Sequence, residues 1–163
     1  ASLGENILLH PIESTDDKIK VYSAVKSSGL SEKVESLENG IDSQLTKEFD
    51  DAGIFMSGGE FQKTAVARVF ADDAPVAILD EPSSALDPIS EYEMFENMNA
   101  ACGDKTVIFI SHRLSSAVMA DKIYMLENGK IVEEGTHREL MDMNGKYAEM
   151  FRIQAEKYRE ADE

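Results

Sequence analysis

Val76-Ala77-Ile78-Leu79-Asp80-Glu81-Pro82 is a short apolar run that stops abruptly at two adjacent carboxylates and a proline. Bounded by Pro75 and Pro82, a continuous run of this length reads as a strand buried on both faces, as in a parallel sheet covered by helices. Its last residues then emerge at the carboxyl edge of the sheet, where open α/β sheets bind their ligands. Two acids at a buried strand end cost free energy unless something compensates them. A Mg²⁺-bound nucleotide would do so, with one carboxylate serving the metal shell and its neighbour orienting or deprotonating a water. The plainer alternative is a strand that ends in a solvated acidic turn.

The flanking segments narrow this choice. Met56-Ser57-Gly58-Gly59-Glu60 precedes the strand, Ser83-Ser84-Ala85-Leu86-Asp87-Pro88 follows it, and Ser111-His112-Arg113 comes after the next apolar run. In this order they resemble the signature motif, Walker B strand, D-loop and switch histidine of the nucleotide-binding domain of ABC transporters of the exporter type. Four ordered motifs at suitable spacing are far more specific than any one alone. The departure from the pattern is equally informative: nowhere in the 163 residues is there a G-x-x-x-x-G-K-[ST] phosphate loop, whose backbone amides and lysine hold nucleotide phosphates. Ala1 to Ile7 resembles the segment that follows the glutamine loop, which is also missing. The resemblance therefore covers the carboxyl-terminal part of the domain, and a chain that opens on Ala1 rather than methionine is expected to be part of something longer.

Composition sets outer limits. The length suffices for one domain with a real core, or two lobes sharing one. Acidic residues outnumber basic ones by 32 to 16, for a formal charge of −16. Such a surface repels phosphate backbones and anionic headgroups, so nucleic acid and direct membrane adsorption are poor partners. The single cysteine, Cys102, excludes an internal disulfide and forms no metal-ligand cluster. No run approaches the ~18 apolar residues of a membrane span.

Local signals place the motifs on elements. Ser14-x-x-Asp17 starts a helix in which Ile19, Tyr22 and Val25 recur at helical spacing up to Gly29, and a short helix over Ser31 to Leu37 stops at Asn39-Gly40. Ile41 to Ile54 is aperiodic and reads as loop. Ser57-x-x-Glu60 is a capping box whose helix runs to about Ala71, and a bare helix amino terminus favours phosphate. Pro88, Met94, Phe95 and Met98 mark a helix ending near Gly103-Asp104, and Thr106 to Ile110 is the next strand. Ile123 to Glu127 and Lys130 to Glu133 flank Asn128-Gly129, a strong type I′ hairpin signal. Thr136-x-x-Glu139 is a further capping box, and Gly145-Lys146-Tyr147 begins a final helix expected to fray over Glu156 to Glu163.

The resemblance implies an α/β fold: a partial P-loop NTPase (RecA-like) core, residues 72–163, with the ABC α-helical subdomain and its signature helix in residues 1–71. It implies ATP and Mg²⁺ as cofactors, with Asp80 on the metal, Glu81 as the catalytic base or water-orienting group, and His112 as the γ-phosphate switch. Ser57, Gly58, Gly59 and Glu60 would complete the ATP site of a second ABC ATPase domain, and Ser84, Ala85, Leu86 and Asp87 would link the two sites of a head-to-tail dimer. Transmembrane domains of the same transporter, at the cytoplasmic face of a membrane, are the other implied partners. Family members most often carry glutamine where this chain has Glu60; a carboxylate there either repels phosphate or is neutralised in its own capping box. Two alternatives are a nucleotide-free half-domain that regulates an ABC subunit and a soluble ABC ATPase outside transport. Without the phosphate loop, the 163 residues are expected to be inactive alone.

Overall fold

Four helices begin in the same way. In α1 (Leu3–Leu8), α2 (Thr15–Ser27), α4 (Gly58–Ala71) and α7 (His137–Met143), a Ser or Thr side chain accepts from the backbone N–H three residues on, and that residue's carboxylate accepts from the cap's own N–H. Each reciprocal cap satisfies two donors that a helix start leaves without partners. The Ser2–Glu5 cap opens a helix that the expectations above do not include, although its S-x-x-E pattern matches the others. The computed structural model describes residues 1–45, 53–103 and 105–160, with side chains through 156. Part of the expected loop, 46–52, together with Asp104 and the last three residues of the expected fraying end, lies outside the described residues. Two compact units result, Ala1–Ile110 and Ser111–Glu163, and the expected boundary at 71/72 falls inside the first.

In the first unit, α1, α2, α3 (Ser31–Ser36) and a 3-10 turn at Gly40–Asp42 enclose a core with α4. Leu3, Ile7, Val21, Val25, Leu30 and Ile41 are buried there with Ala67 of α4. Arg68 fixes α4 to α1 through the carbonyl and side-chain oxygens of Asn6, at 3.1 and 2.5 Å. After α4 come β1 (Val76–Asp80), α5 (Pro88–Ala101) and β2 (Thr106–Ile110). The strands pair in parallel, with Ile78 opposite Ile108 and Asp80 opposite Ile110, as a crossover through a helix requires.

The expectation that β1 is buried on both faces is not met. Ala77 and Leu79 are buried, on the side where Phe95 of α5 meets Phe109 of β2 at 5.0 Å between ring centroids. On the other face Val76, Ile78, Ile108 and Ile110 are 49–68 % exposed. Side chains alternate along a strand, so one crossover helix covers one face, and the two-stranded sheet stays open on the other. The apolar run of the sequence records residues suited to burial, while the burial itself depends on what lies over them.

In the second unit, α6 (Leu114–Ala117) leads to the hairpin of β3 (Ile123–Glu127) and β4 (Lys130–Gly135). Asn128 and Gly129 have φ of 49° and 74°, the positive values that a two-residue turn between right-twisted strands needs. Then α7 and α8 (Lys146–Glu160) close over Leu114, Leu140 and Tyr147. The helix continues to Glu160, four residues beyond the point where fraying is expected to begin. Tyr147 is fully buried, its hydroxyl pairs with His137 Nδ1 at 2.8 Å, and burial raises its pKa. Leu140 is equally buried, so Leu140→Ala is expected to lower stability by about 2–5 kcal/mol, by the lost transfer energy plus the cavity left behind. Urea unfolding followed by circular dichroism measures this; a loss below about 1 kcal/mol would mean that this core repacks freely.

Candidate functional site

The end of β1 is an unusual piece of backbone. Asp80 completes the strand, and Glu81 then takes φ = 48°, a region that non-glycine residues rarely enter. The conformation persists because both of its backbone groups are engaged. The Glu81 N–H donates to the Ile110 carbonyl of β2 at 2.9 Å. Its carbonyl accepts from Gln62 Nε2 at 2.8 Å and from the Ser84 N–H at 3.2 Å. Sparsely populated backbone held by its surroundings is a recurrent feature of functional sites. The expected penalty of buried acids does not arise, since Asp80 is exposed and Glu81 half-exposed.

Beyond Glu81 the chain turns through buried Pro82 and Ser83 into α5. Ser83 Oγ donates to Glu91 Oε1 at 2.7 Å, with both side chains buried. Leu86 is buried and its N–H donates to the Ser83 carbonyl at 3.0 Å. Asp87 caps α5: one carboxylate oxygen accepts from the N–H groups of Ile89 and Ser90, the other from the Ser90 hydroxyl at 2.7 Å. The Ser90 amide and hydroxyl, followed by the Ile89 amide, hold the Asp87 pKa below its ordinary value despite slight desolvation. Ser84, Ala85 and Asp87 are exposed.

The first turn of α4 rests on this same turn. A Cβ at Gly59 would lie 3.3 Å from the Ala85 carbonyl oxygen and 3.6 Å from Leu86, whereas one at Gly58 would meet nothing within 4 Å. Gly59 thus permits close packing within the chain, and Gly58 leaves the helix end accessible. Glu60 turns back onto its own cap: Oε2 accepts from the Ser57 N–H at 2.7 Å, and Oε1 lies 3.2 Å from Lys33 Nζ of α3. Desolvation pushes the Glu60 pKa up, but the Ser57 amide and the Lys33 ammonium outweigh it, and the net shift is downward. Of the two behaviours open to this carboxylate, the geometry favours local neutralisation.

His112 belongs to the second unit, two residues past β2, with an exposed side chain. Gln154 of α8 sets its backbone, since Nε2 donates to the His112 carbonyl at 2.7 Å and Oε1 accepts from the Leu114 N–H at 2.9 Å. Ser57, Gly58, Gly59, Glu60, Asp80, Glu81, Ser84, Ala85, Leu86 and Asp87 all fall in the first unit. Sequence reasoning passes over Gln62, Gln154 and Glu91 as site-shaping residues. A signal exists for two of them: Gln62 interrupts the helical stripe Gly59, Gln62, Val66, and Glu91 heads the stripe Glu91, Met94, Phe95, Met98. A polar residue inside an apolar stripe needs a buried partner.

Asp80 and Glu81 supply the hard oxygen donors that Mg²⁺ takes, and among the described residues no group of three or more His, Cys, Asp or Glu could hold an ion by itself. That set suits an ion completed by phosphate and water. It does not suit an ion caged by protein.

No protein-family profile matches the chain. It is 43 % identical over 138 residues to the ATP-dependent lipid A-core flippase of Ralstonia nicotianae, which covers 85 % of this chain and 23 % of the flippase. It is 40 % identical over 150 residues to a multidrug export ATP-binding/permease protein of Staphylococcus aureus, covering 92 % and 25 % of the two chains. Among solved structures it resembles a bacterial Atm1-family ABC exporter with ATP bound, at a TM-score of 0.80 and 32 % identity, over 94 % of this chain and 26 % of that one. Its homologues are therefore ABC exporters, and it spans about a quarter of their length. No described helix is long and apolar enough to cross a membrane.

The Glu60 carboxylate has a lower pKa folded than free, so its contribution to stability is present above the ordinary carboxylate value of 4.5 and is lost as pH falls through the folded value. Glu60→Gln keeps the cap but does not titrate, and its melting temperature is expected to fall less than that of the unaltered chain as pH is lowered through this range. Parallel melting curves would show that the ionised carboxylate contributes nothing.

Proposed function

We propose that this chain supplies the carboxyl-terminal part of the ATP-hydrolysing domain of an ABC exporter: most of the helical subdomain, residues 1–71, followed by the later strands of the core, residues 72–163. The observation that carries this reading is the turn at Glu81, where two carboxylates leave a parallel strand on backbone bonded directly to the helix that Ser57 caps. The homology to ABC exporters along most of the chain supports it.

On this reading Asp80 would help to hold Mg²⁺, and Mg²⁺-ATP, when bound, would supply the electrophilic phosphoryl group with its charge partly neutralised. Glu81 orients the attacking water and accepts its proton. His112 would sense the γ-phosphate and help to position the water. Ser57, Gly58 and Gly59 close on the nucleotide of a second ABC ATPase domain through helix-end amides, with the Glu60 carboxylate turned away into its cap. The accessible flank of Gly58 suits such an approach. Ser84 to Asp87 face the partner across a head-to-tail interface, while Asp87 also caps α5. Transmembrane domains of the same protein would turn closure of this interface into export from the cytoplasmic face of the membrane.

In the full-length protein that carries this segment, Glu81→Gln is expected to keep ATP binding and to lose ~10²–10⁴ in hydrolysis rate, because the amide preserves shape but accepts no proton. Steady-state phosphate release alongside nucleotide retention measures both. Near-native turnover would assign the proton to another residue.

A further inference from the structure

Gln62 lies two residues beyond Glu60, on the first turns of α4, and spends its whole carboxamide on the turn after β1. Nε2 donates to the Glu81 carbonyl at 2.8 Å and to Ser84 Oγ at 2.9 Å, and Oε1 accepts from the Ala85 N–H at 2.7 Å. These three bonds span the whole turn, from the residue at φ = 48° to the residue whose carbonyl packs against Gly59. A single planar group that both donates and accepts cannot rotate or shift without breaking bonds at both ends. Networks of this kind fix geometry more sharply than their separate bonds suggest.

We infer that Gln62 is a positioning residue that couples the amino end of α4 to the Glu81 carboxylate, so that a ligand engaging Ser57 to Gly59 alters the placement of Glu81. The inference rests on the proposed ATPase reading for its functional consequence, but the clamp itself does not. Consider a shift of α4 toward a phosphate at its amino terminus. Gln62 moves with the helix, and the Glu81 carbonyl and Ala85 amide follow or lose their partner. Glu81 is the susceptible end, because its left-handed backbone persists only while its surroundings hold it. If Ser57 to Gly59 serve one nucleotide and Glu81 another, Gln62 connects the two sites within one subunit. Because its carboxamide is engaged on the turn, its effect falls on the rate of hydrolysis more than on affinity.

Two measurements test this with Gln62→Met, which keeps length without hydrogen bonds, and Gln62→Glu, which keeps the acceptor for Ala85 but loses the donors to Glu81 and Ser84. In the 163-residue chain, hydrogen exchange of the Ala85 amide is expected to accelerate in Gln62→Met and to stay slow in Gln62→Glu. The Ile89 and Ser90 amides, bonded to Asp87, should not change in either variant. In the full-length protein both variants are expected to lose roughly 10- to 100-fold in kcat, the scale of a small misplacement, with KM for ATP within about twofold. Adding either substitution to Glu81→Gln should then cost little more, since both act through the same carboxylate. Unchanged exchange at Ala85 in Gln62→Met overturns the clamp. Losses that multiply fully with that of Glu81→Gln overturn the coupling. Near-native turnover of Glu81→Gln alone, with Ala85 exchange accelerated in Gln62→Met, would leave the clamp standing and overturn its assignment to hydrolysis.

Discussion

A non-glycine residue at φ = 48° does not stay there by its own preference, and the geometry of the candidate site follows from what holds Glu81 in place. β2 supplies the acceptor for its N–H, α4 supplies a donor to its carbonyl, and the turn closes on itself through Ser84. Remove any of these and the backbone can relax toward the extended region that the residue before a proline prefers. The partner strand, α4 and the turn itself thus converge on the two backbone groups of one residue. Gly59 belongs to the same constraint, because a Cβ there would lie 3.3 Å from the Ala85 carbonyl oxygen, tighter than side chains usually approach.

Each of the two units is held together in its own way. The first has a continuous apolar core under α1, α2 and α4, and the Arg68 bonds to Asn6 add direction to that packing. Its sheet is less protected, with four β-branched side chains on an open face. The second unit gathers around Tyr147, and Gln154, two turns further along the same helix, holds the backbone at His112. Both candidate catalytic residues, Glu81 and His112, therefore have a backbone carbonyl pinned by a glutamine from a helix distant in sequence. A carboxamide suits this task because one side chain can donate to a carbonyl and accept from an amide of the same turn.

Local chemistry was the legible part of the sequence. Ser57 with Glu60 and Thr136 with Glu139 announce their caps, Asn128-Gly129 announces its hairpin, and the apolar runs at Val76 and Thr106 announce parallel strands. Each signal depends on residues a few positions apart, where dihedral preference and short-range hydrogen bonds decide. Long-range relations were not legible. The open face at Ile78 and Ile108 is set by which elements cover the sheet, and the roles of Gln62 and Gln154 by partners 19 to 42 residues away. Glu60 lies between these cases: the sequence poses its conflict with phosphate, and Lys33, on a different helix, weighs on the answer.

The proposed function implies a division of labour in which Asp80, Glu81 and the α4 amino terminus would act on phosphates held by a phosphate loop, a motif absent from these 163 residues. Phosphate affinity in P-loop proteins comes from an amide cradle and its lysine, while what stands at the end of β1 is negative and repels a nucleotide. Calorimetric titration of the 163-residue chain with Mg²⁺-ATP tests this most directly. The account predicts no saturable heat in the micromolar range. Micromolar, stoichiometric binding would contradict it, and would mean that residues described here as structural form a phosphate site of their own.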